Sequence, residues 1–113
     1  MASEKIERIR KVLETEPDSE MLWFTLGQAY LAEEMPAAAV EAFEKAVKLK
    51  PDYTVVYEHL GNALERINRV PDAMEIYRKG IEVGGRTRDM IPLERMTARL
   101  RRLEKGSRPG TTA

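Results

Sequence analysis

The sequence repeats with a period of 34 residues, and this feature restricts the fold of the chain more than any other. When the chain is shifted against itself by 34 positions, eight residues fall on partners that are nearly all of similar size. A fixed period of this length is typical of stacked repeats, in which each unit buries its apolar face only against its neighbours. The eight pairs are Trp23 with Tyr57, Leu26 with Leu60, Gly27 with Gly61, Tyr30 with Leu64, Ala39 with Ala73, Phe43 with Tyr77, Ala46 with Gly80, and Pro51 with Gly85.

Each copy of the repeat is predicted to form two helices joined by a short turn. Apolar residues recur at helical spacing in two runs per copy, and Pro36 separates the runs of the first copy. Pro51 follows the first copy because proline cannot continue a helix, and Gly84–Gly85 is the predicted stop of the second copy. The chain is therefore expected to be all-α, with antiparallel helix hairpins stacked on one another. The four helices are predicted over 20–33, 37–49, 54–67 and 71–83.

Gly27 lies inside a predicted helix, where glycine costs about 1 kcal/mol relative to alanine. Such a glycine is tolerated where a bulky side chain must come close. The second helix of the same hairpin presents Phe43 between Ala39 and Ala46, so Phe43 is expected to fill the space beside Gly27. Trp23 flanks this contact together with Tyr30, and both aromatic residues are predicted to belong to the core.

This pattern resembles the tetratricopeptide repeat family, whose unit reads Trp-x-x-Leu-Gly-x-x-Tyr followed by Ala, an aromatic residue, Ala and Pro at fixed positions. Residues 20–53 match every one of these positions, and residues 54–87 match them with common replacements. The resemblance implies a right-handed α-solenoid that acts as a non-enzymatic adaptor for other proteins. With its flanks, the chain is expected to have about six helices in a single domain over residues 1–105.

The two flanks of the repeats are predicted to be helical. Residues 3–16 resemble the second helix of a preceding unit, and residues 88–105 are predicted to be a capping helix with Asp89 as its N-cap. Residues 106–113 are expected to form a flexible tail. The predicted apolar faces of the flanking helices consist of Ile6, Ile9, Val12 and Leu13, and of Leu93, Met96, Leu100 and Leu103.

The composition argues against a catalytic site and against a metal site. The chain has no cysteine and a single histidine, and its three serines lie at an end, in a turn and in the tail, so neither a catalytic set nor a metal site is expected. No cofactor is predicted, and the protein is not expected to be an enzyme. No apolar run approaches the roughly 18 residues of a membrane span, and the charged N-terminus lacks a signal peptide's apolar stretch. A cytoplasmic protein without membrane contact is expected.

The resemblance implies that the first helix of each repeat unit lines a concave groove, which receives a peptide or a partner segment. Phe24, Leu31 and Asn62 fit such a site because they lie off the core faces and have no evident partner inside their hairpins. The amide of Asn62 offers a donor and an acceptor to an extended chain. The alternatives are packing of Phe24 and Met21 on the N-terminal helix, simple solvation of Asn62, and a solvated or hydrogen-bonded surface position for His59. The predicted groove residues are Met21, Phe24, Thr25, Gln28, Leu31 and Ala32 in the first copy and Val55, Glu58, His59, Asn62, Glu65 and Arg66 in the second.

Some members of the family bind acidic chaperone tails through a set of Lys, Asn and Arg residues. The matching positions here hold Phe24, Gln28, His59, Asp89 and Leu93, so this set is absent. Glu58 and Glu65 are expected to make the groove locally acidic. An apolar or basic peptide is therefore the predicted ligand.

Two other functions remain open from the sequence. Residues 86–108 carry eight basic and three acidic residues, so the C-terminal helix could bind an anionic partner such as nucleic acid. That alternative is less favoured because the helix has no aromatic residue for base stacking. Its basic residues are Arg95, Arg99, Arg101, Arg102 and Lys105. Alternatively, a homodimer could form through Ile6, Ile9 and Val12 at one end or through Leu100 and Leu103 at the other.

Overall fold

A computed structural model describes residues 2–107, with side chains described for residues 4–106. This part of the chain contains six α-helices and no strand, which confirms the predicted all-α fold. The helices are α1 (Ala2–Thr15), α2 (Glu20–Ala32), α3 (Pro36–Leu49), α4 (Thr54–Arg66), α5 (Val70–Thr87) and α6 (Met90–Ser107). None of them is both long enough and apolar enough to cross a membrane.

The helices pack as a stack of antiparallel pairs. Helix α2 pairs with α3, and α4 pairs with α5, as the repeat predicts. Helix α1 packs on α2, α3 packs on α4, and α5 packs on α6, so each second helix joins its unit to the next first helix. Helices α2, α4 and α6 also touch in that order, and these three first helices together form one face of the stack.

The turns inside the two hairpins are alike. Each has one residue in the left-handed region, Glu34 with φ 57° and Asn68 with φ 61°. In the first turn the amide of Met35 donates to the carbonyl of Tyr30 over 2.9 Å, and an equivalent bond one period later has the same length. Glu34 and Asn68 are 34 positions apart, so the period of the sequence is kept even in the turn backbone.

Gly84–Gly85 does not end α5, contrary to the sequence-based expectation. The helix continues to Thr87 and ends where Arg88 adopts a left-handed conformation with φ 62°. Gly84 is buried, and a Cβ added at this position would lie only 3.0 Å from Cβ of Leu93 and 3.3 Å from Cγ2 of Thr54. This glycine therefore allows close packing of α4, α5 and α6, and the absence of a side chain does not terminate the helix.

Helix α6 differs in register and in length from the prediction. The first helices begin at Glu20, Thr54 and Met90, so the interval is 34 residues and then 36. Helix α5 has 18 residues against 14 in α3, and the turn after it is two residues shorter, which gives the net offset of two. The described helix also runs through Gly106 and Ser107, so the predicted tail begins too early, and residues 108–113 lie outside the described part. With this offset, Leu93, Met96 and Leu100 take the places of Tyr57, Leu60 and Leu64.

The core has two parts, and Trp23 lies between them. The larger part contains Phe43, which is fully buried, and the smaller part holds α1 against α2 through Ile6, Ile9 and Leu13. Trp23 contacts both parts but is only half-buried, and its indole N–H donates to the carbonyl of Pro17 over 2.8 Å. Trp23 therefore packs against the core, as predicted, but its side chain is not fully buried.

Candidate functional site

The face predicted to bind a partner is built from equivalent positions on α2, α4 and α6. Met21, Gln28 and Asn62 are exposed there. The other predicted groove residues divide between half-buried side chains and the exposed helix ends. Those half-buried are Phe24, Thr25, Leu31, Val55, Glu58, His59 and Glu65, and those exposed at the ends are Ala32 and Arg66.

Phe24 has partners on three sides, so the expectation that it lacks them inside its hairpin is wrong. Its ring centroid lies 5.9 Å from Phe43, 5.4 Å from Tyr53 and 5.0 Å from His59. The Phe24–His59 contact is edge to face at 85°, a favourable geometry for aromatic rings. Leu31 also packs against the larger core. Phe24 thus packs where α2, α3 and α4 meet, and none of its described ring contacts is with the N-terminal helix.

His59 is half-buried and hydrogen-bonded, which agrees with the second of the two alternatives, a solvated or a hydrogen-bonded histidine. Its Nδ1 lies 3.0 Å from the carbonyl oxygen of Val55. Because a carbonyl only accepts, Nδ1 must carry a proton and donate to it. The ring therefore has a fixed orientation against Phe24, and Nε2 is the nitrogen left for a ligand.

Glu65 is held by two residues from other helices. Its Oε2 accepts a hydrogen bond of 2.6 Å from the hydroxyl of Tyr77 on α5. The guanidinium of Arg99 on α6 donates to both carboxylate oxygens, with Nε at 3.1 and 3.0 Å and a further contact from Nη2. Bidentate pairs of this kind combine charge with fixed geometry. Glu65 therefore ties α4, α5 and α6 together and is not a free groove carboxylate.

This network shifts the protonation of its members. Burial by itself raises the pKa of Glu65, but hydrogen bonds from Arg99 and Tyr77 and the charge of Arg99 lower it below its ordinary value. Burial and the hydrogen bond to Glu65 raise the pKa of Tyr77. The network is therefore formed by ionised Glu65 and neutral Tyr77 at neutral pH.

We expect stability to fall with acid through this network. A carboxyl whose pKa is lower in the folded state stabilises above its unfolded pKa of about 4.3, and the contribution is lost as pH falls through the folded value. Unfolding by urea should be measured between about pH 6 and pH 3 in the wild type and in Glu65→Gln. The wild type should lose more free energy of unfolding than the variant over this range. Equal losses would contradict the role of the carboxylate.

Glu58 has a looser partner than Glu65. Nη1 of Arg95 lies 3.9 Å from its Oε1, which is too long for a hydrogen bond, and that buried oxygen has no hydrogen bond to any described residue. With Glu58 and Glu65 both paired to arginines, the expected local acidity of the groove is largely neutralised. Fewer basic residues of α6 remain free to bind an anionic partner, because Arg95 and Arg99 face carboxylates.

The offset of α6 also changes which of its residues are equivalent to the predicted groove positions of α2 and α4. The Phe24–His59 contact joins residues 35 apart, whereas the Glu58–Arg95 pair joins residues 37 apart. The third-unit positions matched earlier to Asp89 and Leu93 therefore belong to Ile91 and Arg95. Ile91 is 65% exposed and Met21 is 66% exposed, and Val55 lies at the equivalent position of α4. An apolar row thus runs across α2, α4 and α6, and Ile91 is the member of it that the sequence does not predict.

The terminal helix faces are mostly covered. Ile6 and Ile9 are 8% and 9% exposed because they pack against α2, so they are not available for the predicted dimer contact. Val12 remains exposed, and Leu100 and Leu103 are half-buried against the core. No group of three or more His, Asp or Glu residues in the described chain is arranged to hold a metal ion.

Comparison with known proteins agrees with this architecture. The family model described as "Tetratricopeptide repeat" matches residues 21–53. Tetratricopeptide repeat protein 37 of Xenopus laevis is 30% identical over 83 residues, which are 71% of this chain but only 5% of that protein.

Two solved structures extend the comparison. The tetratricopeptide repeat domain protein of Salinibacter ruber is 30% identical with a TM-score of 0.72, and the match covers 77% of this chain and 97% of that one. The first TPR of Spaghetti, solved with an HSP90 peptide, has a TM-score of 0.79 at 22% identity, covering 93% and 79% of the two chains. The repeat pairs, the stacked hairpins and these similarities agree, and the chain belongs to the tetratricopeptide repeat family.

Proposed function

We propose that the chain is a non-enzymatic protein–protein interaction module that binds a partner segment along the concave face of α2, α4 and α6. The observation that carries the proposal is the pair Gln28 and Asn62. Both side chains are exposed, lie 34 residues apart at equivalent positions, and have no hydrogen bond to another described residue. Two amides at this spacing can donate to and accept from the backbone of one extended chain.

The apolar residues beside these amides support a segment with apolar side chains. The ring of Phe24 is held in place by its aromatic neighbours, and Met21 on α2 and Ile91 on α6 expose apolar surface at equivalent positions. Spaghetti binds an HSP90 peptide, but its likeness to this chain is in fold alone at 22% identity. Phe24 and Ile91 stand where the family's acidic-tail binders have lysines, so we propose a ligand that is not an acidic tail. The cytoplasmic location stays a prediction of the sequence.

Anionic-partner binding through α6 and self-association are weaker proposals. Of the five basic residues on α6, Arg95 and Arg99 face carboxylates, which leaves Arg101, Arg102 and Lys105 for phosphates. A dimer would have to use Leu100 and Leu103, which are half-buried already. Neither alternative has an observation comparable to the two free amides.

The proposal predicts that Gln28→Ala combined with Asn62→Ala weakens partner binding without unfolding the protein. Both residues are exposed, so stability should change little, whereas the loss of two interface anchors should weaken binding at least about tenfold. Proteins retained from native lysate by the immobilised wild type should be quantified against those retained by the variant. Phe24→Ala is unsuitable because Phe24 supports the fold.

The matched control is Glu44→Ala combined with Glu75→Ala, which changes two exposed residues on the second helices α3 and α5. Partners of the concave face should be retained by this control. Retention by the amide variant with loss in Arg101→Glu combined with Arg102→Glu would move the binding surface to the basic end of α6.

A further inference from the structure

A small pocket opens where α4 meets α5 and α6. Its volume is about 330 Å³, and its lining includes Glu58, Asn62, Glu65, Arg95 and Arg99. The pocket is large enough for a single side-chain head group, since a water molecule takes about 30 Å³ of liquid volume. Its formal charges cancel, with two carboxylates facing two guanidinium groups.

The two carboxylates of the pocket differ in how well they are bonded. Glu65 receives hydrogen bonds from Tyr77 and Arg99 on both oxygens. Glu58 Oε1 is buried and has no hydrogen bond within the described chain. The one described cation within 4 Å of it is Arg95, at 3.9 Å, and the Arg95 side chain is 66% exposed. The unused acceptor of the pocket therefore belongs to Glu58, and the group nearest to it is loosely held.

This asymmetry selects the charge of a ligand. A ligand carboxylate would compete with Glu58 for Arg95 and would leave Oε1 still without a donor. A guanidinium or ammonium group would instead donate a charge-assisted hydrogen bond to Oε1, the stronger kind of hydrogen bond. The exposed amide oxygen of Asn62, which also lines the pocket, can accept a second donor from the same group.

We propose that this pocket receives an arginine or lysine side chain of the partner segment, which binds Glu58 and Asn62 in place of Arg95. The inference rests on the proposed groove function for its biological ligand, and it names a basic residue within that ligand. Arg95 then acts as an internal competitor, which swings into solvent when the partner's cation enters. This role predicts that removal of Arg95 strengthens binding.

The test uses a small probe, so it does not depend on the partner. Nα-acetyl-arginine amide is titrated into the isotopically labelled full chain, and the backbone amide resonances of Glu58 and Asn62 are followed by NMR. Nα-acetyl-citrulline amide is the uncharged control of nearly the same shape. We expect saturable shifts with the arginine probe, much smaller shifts with citrulline, and loss of the arginine shifts in Glu58→Gln. Glu75→Gln, an exposed change on α5, should bind like the wild type.

The direction of the Arg95→Ala effect is the decisive result. This variant should bind the arginine probe about two- to fivefold more tightly, the factor that corresponds to a partly exposed ion pair. Arg102→Ala on the same helix controls for the general loss of positive charge and should change binding less. No saturable shift in either the wild type or Arg95→Ala would overturn the proposal, as would tighter binding of Nα-acetyl-glutamate amide that depends on Arg95. Failure here with intact dependence of partner capture on Gln28 and Asn62 would reject the basic residue and leave the groove function standing.

Discussion

Replacing Phe43 by alanine should lower the free energy of unfolding by about 3–5 kcal/mol, the usual cost of truncating a buried aromatic side chain. Phe43 is completely buried, fills the space beside Gly27, and contacts the rings of Phe24 and His59 at 5.9 and 5.8 Å. Its loss would therefore leave a cavity at the junction of α2, α3 and α4. Urea unfolding followed by far-ultraviolet circular dichroism measures the effect.

Trp23→Ala is the comparison for this prediction. The sequence motif alone places Trp23 in the core and predicts the same loss for it, but Trp23 is only half-buried and lies under Nζ of Lys45 at 5.8 Å. We expect Trp23→Ala to cost about 1–3 kcal/mol, from partial burial and the lost hydrogen bond to Pro17. A larger loss for Trp23→Ala than for Phe43→Ala would contradict the burial seen in the structure.

Gly27→Leu should destabilise the protein by at least about 3 kcal/mol, at the upper end for overpacked cores. A Cβ at Gly27 would lie 2.3 Å from Cε1 and 2.5 Å from Cδ1 of Phe43. The ring of Phe43 cannot move aside because it is fully buried. The same comparison one period later places a Cβ at Gly61 2.2 Å from Cε1 of Tyr77, so the constraint is a property of the repeat.

Gly85→Leu is the matched control for the glycine prediction. Gly85 also lies inside a helix, but a Cβ there would meet no atom within 4 Å. Leucine has the higher helix propensity, so this change should leave stability unchanged or raise it by up to about 1 kcal/mol. Thermal unfolding of both variants should separate them clearly. Similar melting temperatures would mean that the space beside Gly27 is not limiting.

The sequence predicted the parts of the fold that depend on local pattern. The 34-residue period and the Gly27–Phe43 contact follow from side-chain size at fixed spacing, and both are confirmed. Gly84–Gly85 does not follow the local rule that glycine marks a helix end, because packing against Thr54 and Leu93 decides here. Local propensity carries no information about that contact, which joins three helices.

The candidate site was less predictable because its contacts lie between units. The Glu65–Arg99 pair spans 34 residues and the Glu58–Arg95 pair spans 37, so helical periodicity within one segment does not reveal either. A search for opposite charges one period apart would have found the first pair. The second depends on the two-residue offset of α6, which follows from the lengths of α5 and of the turn after it and leaves no trace in the repeat motif.

The central claim is that a partner segment lies along α2, α4 and α6. The most direct test is hydrogen–deuterium exchange of the intact chain, free and bound to a partner captured by the wild type but not by Gln28→Ala combined with Asn62→Ala. The account predicts that slowed exchange concentrates in α2 and α4 and extends to the beginning of α6 around Ile91. Slowed exchange in α3 and α5 alone, or only near Arg101 and Arg102, would contradict it.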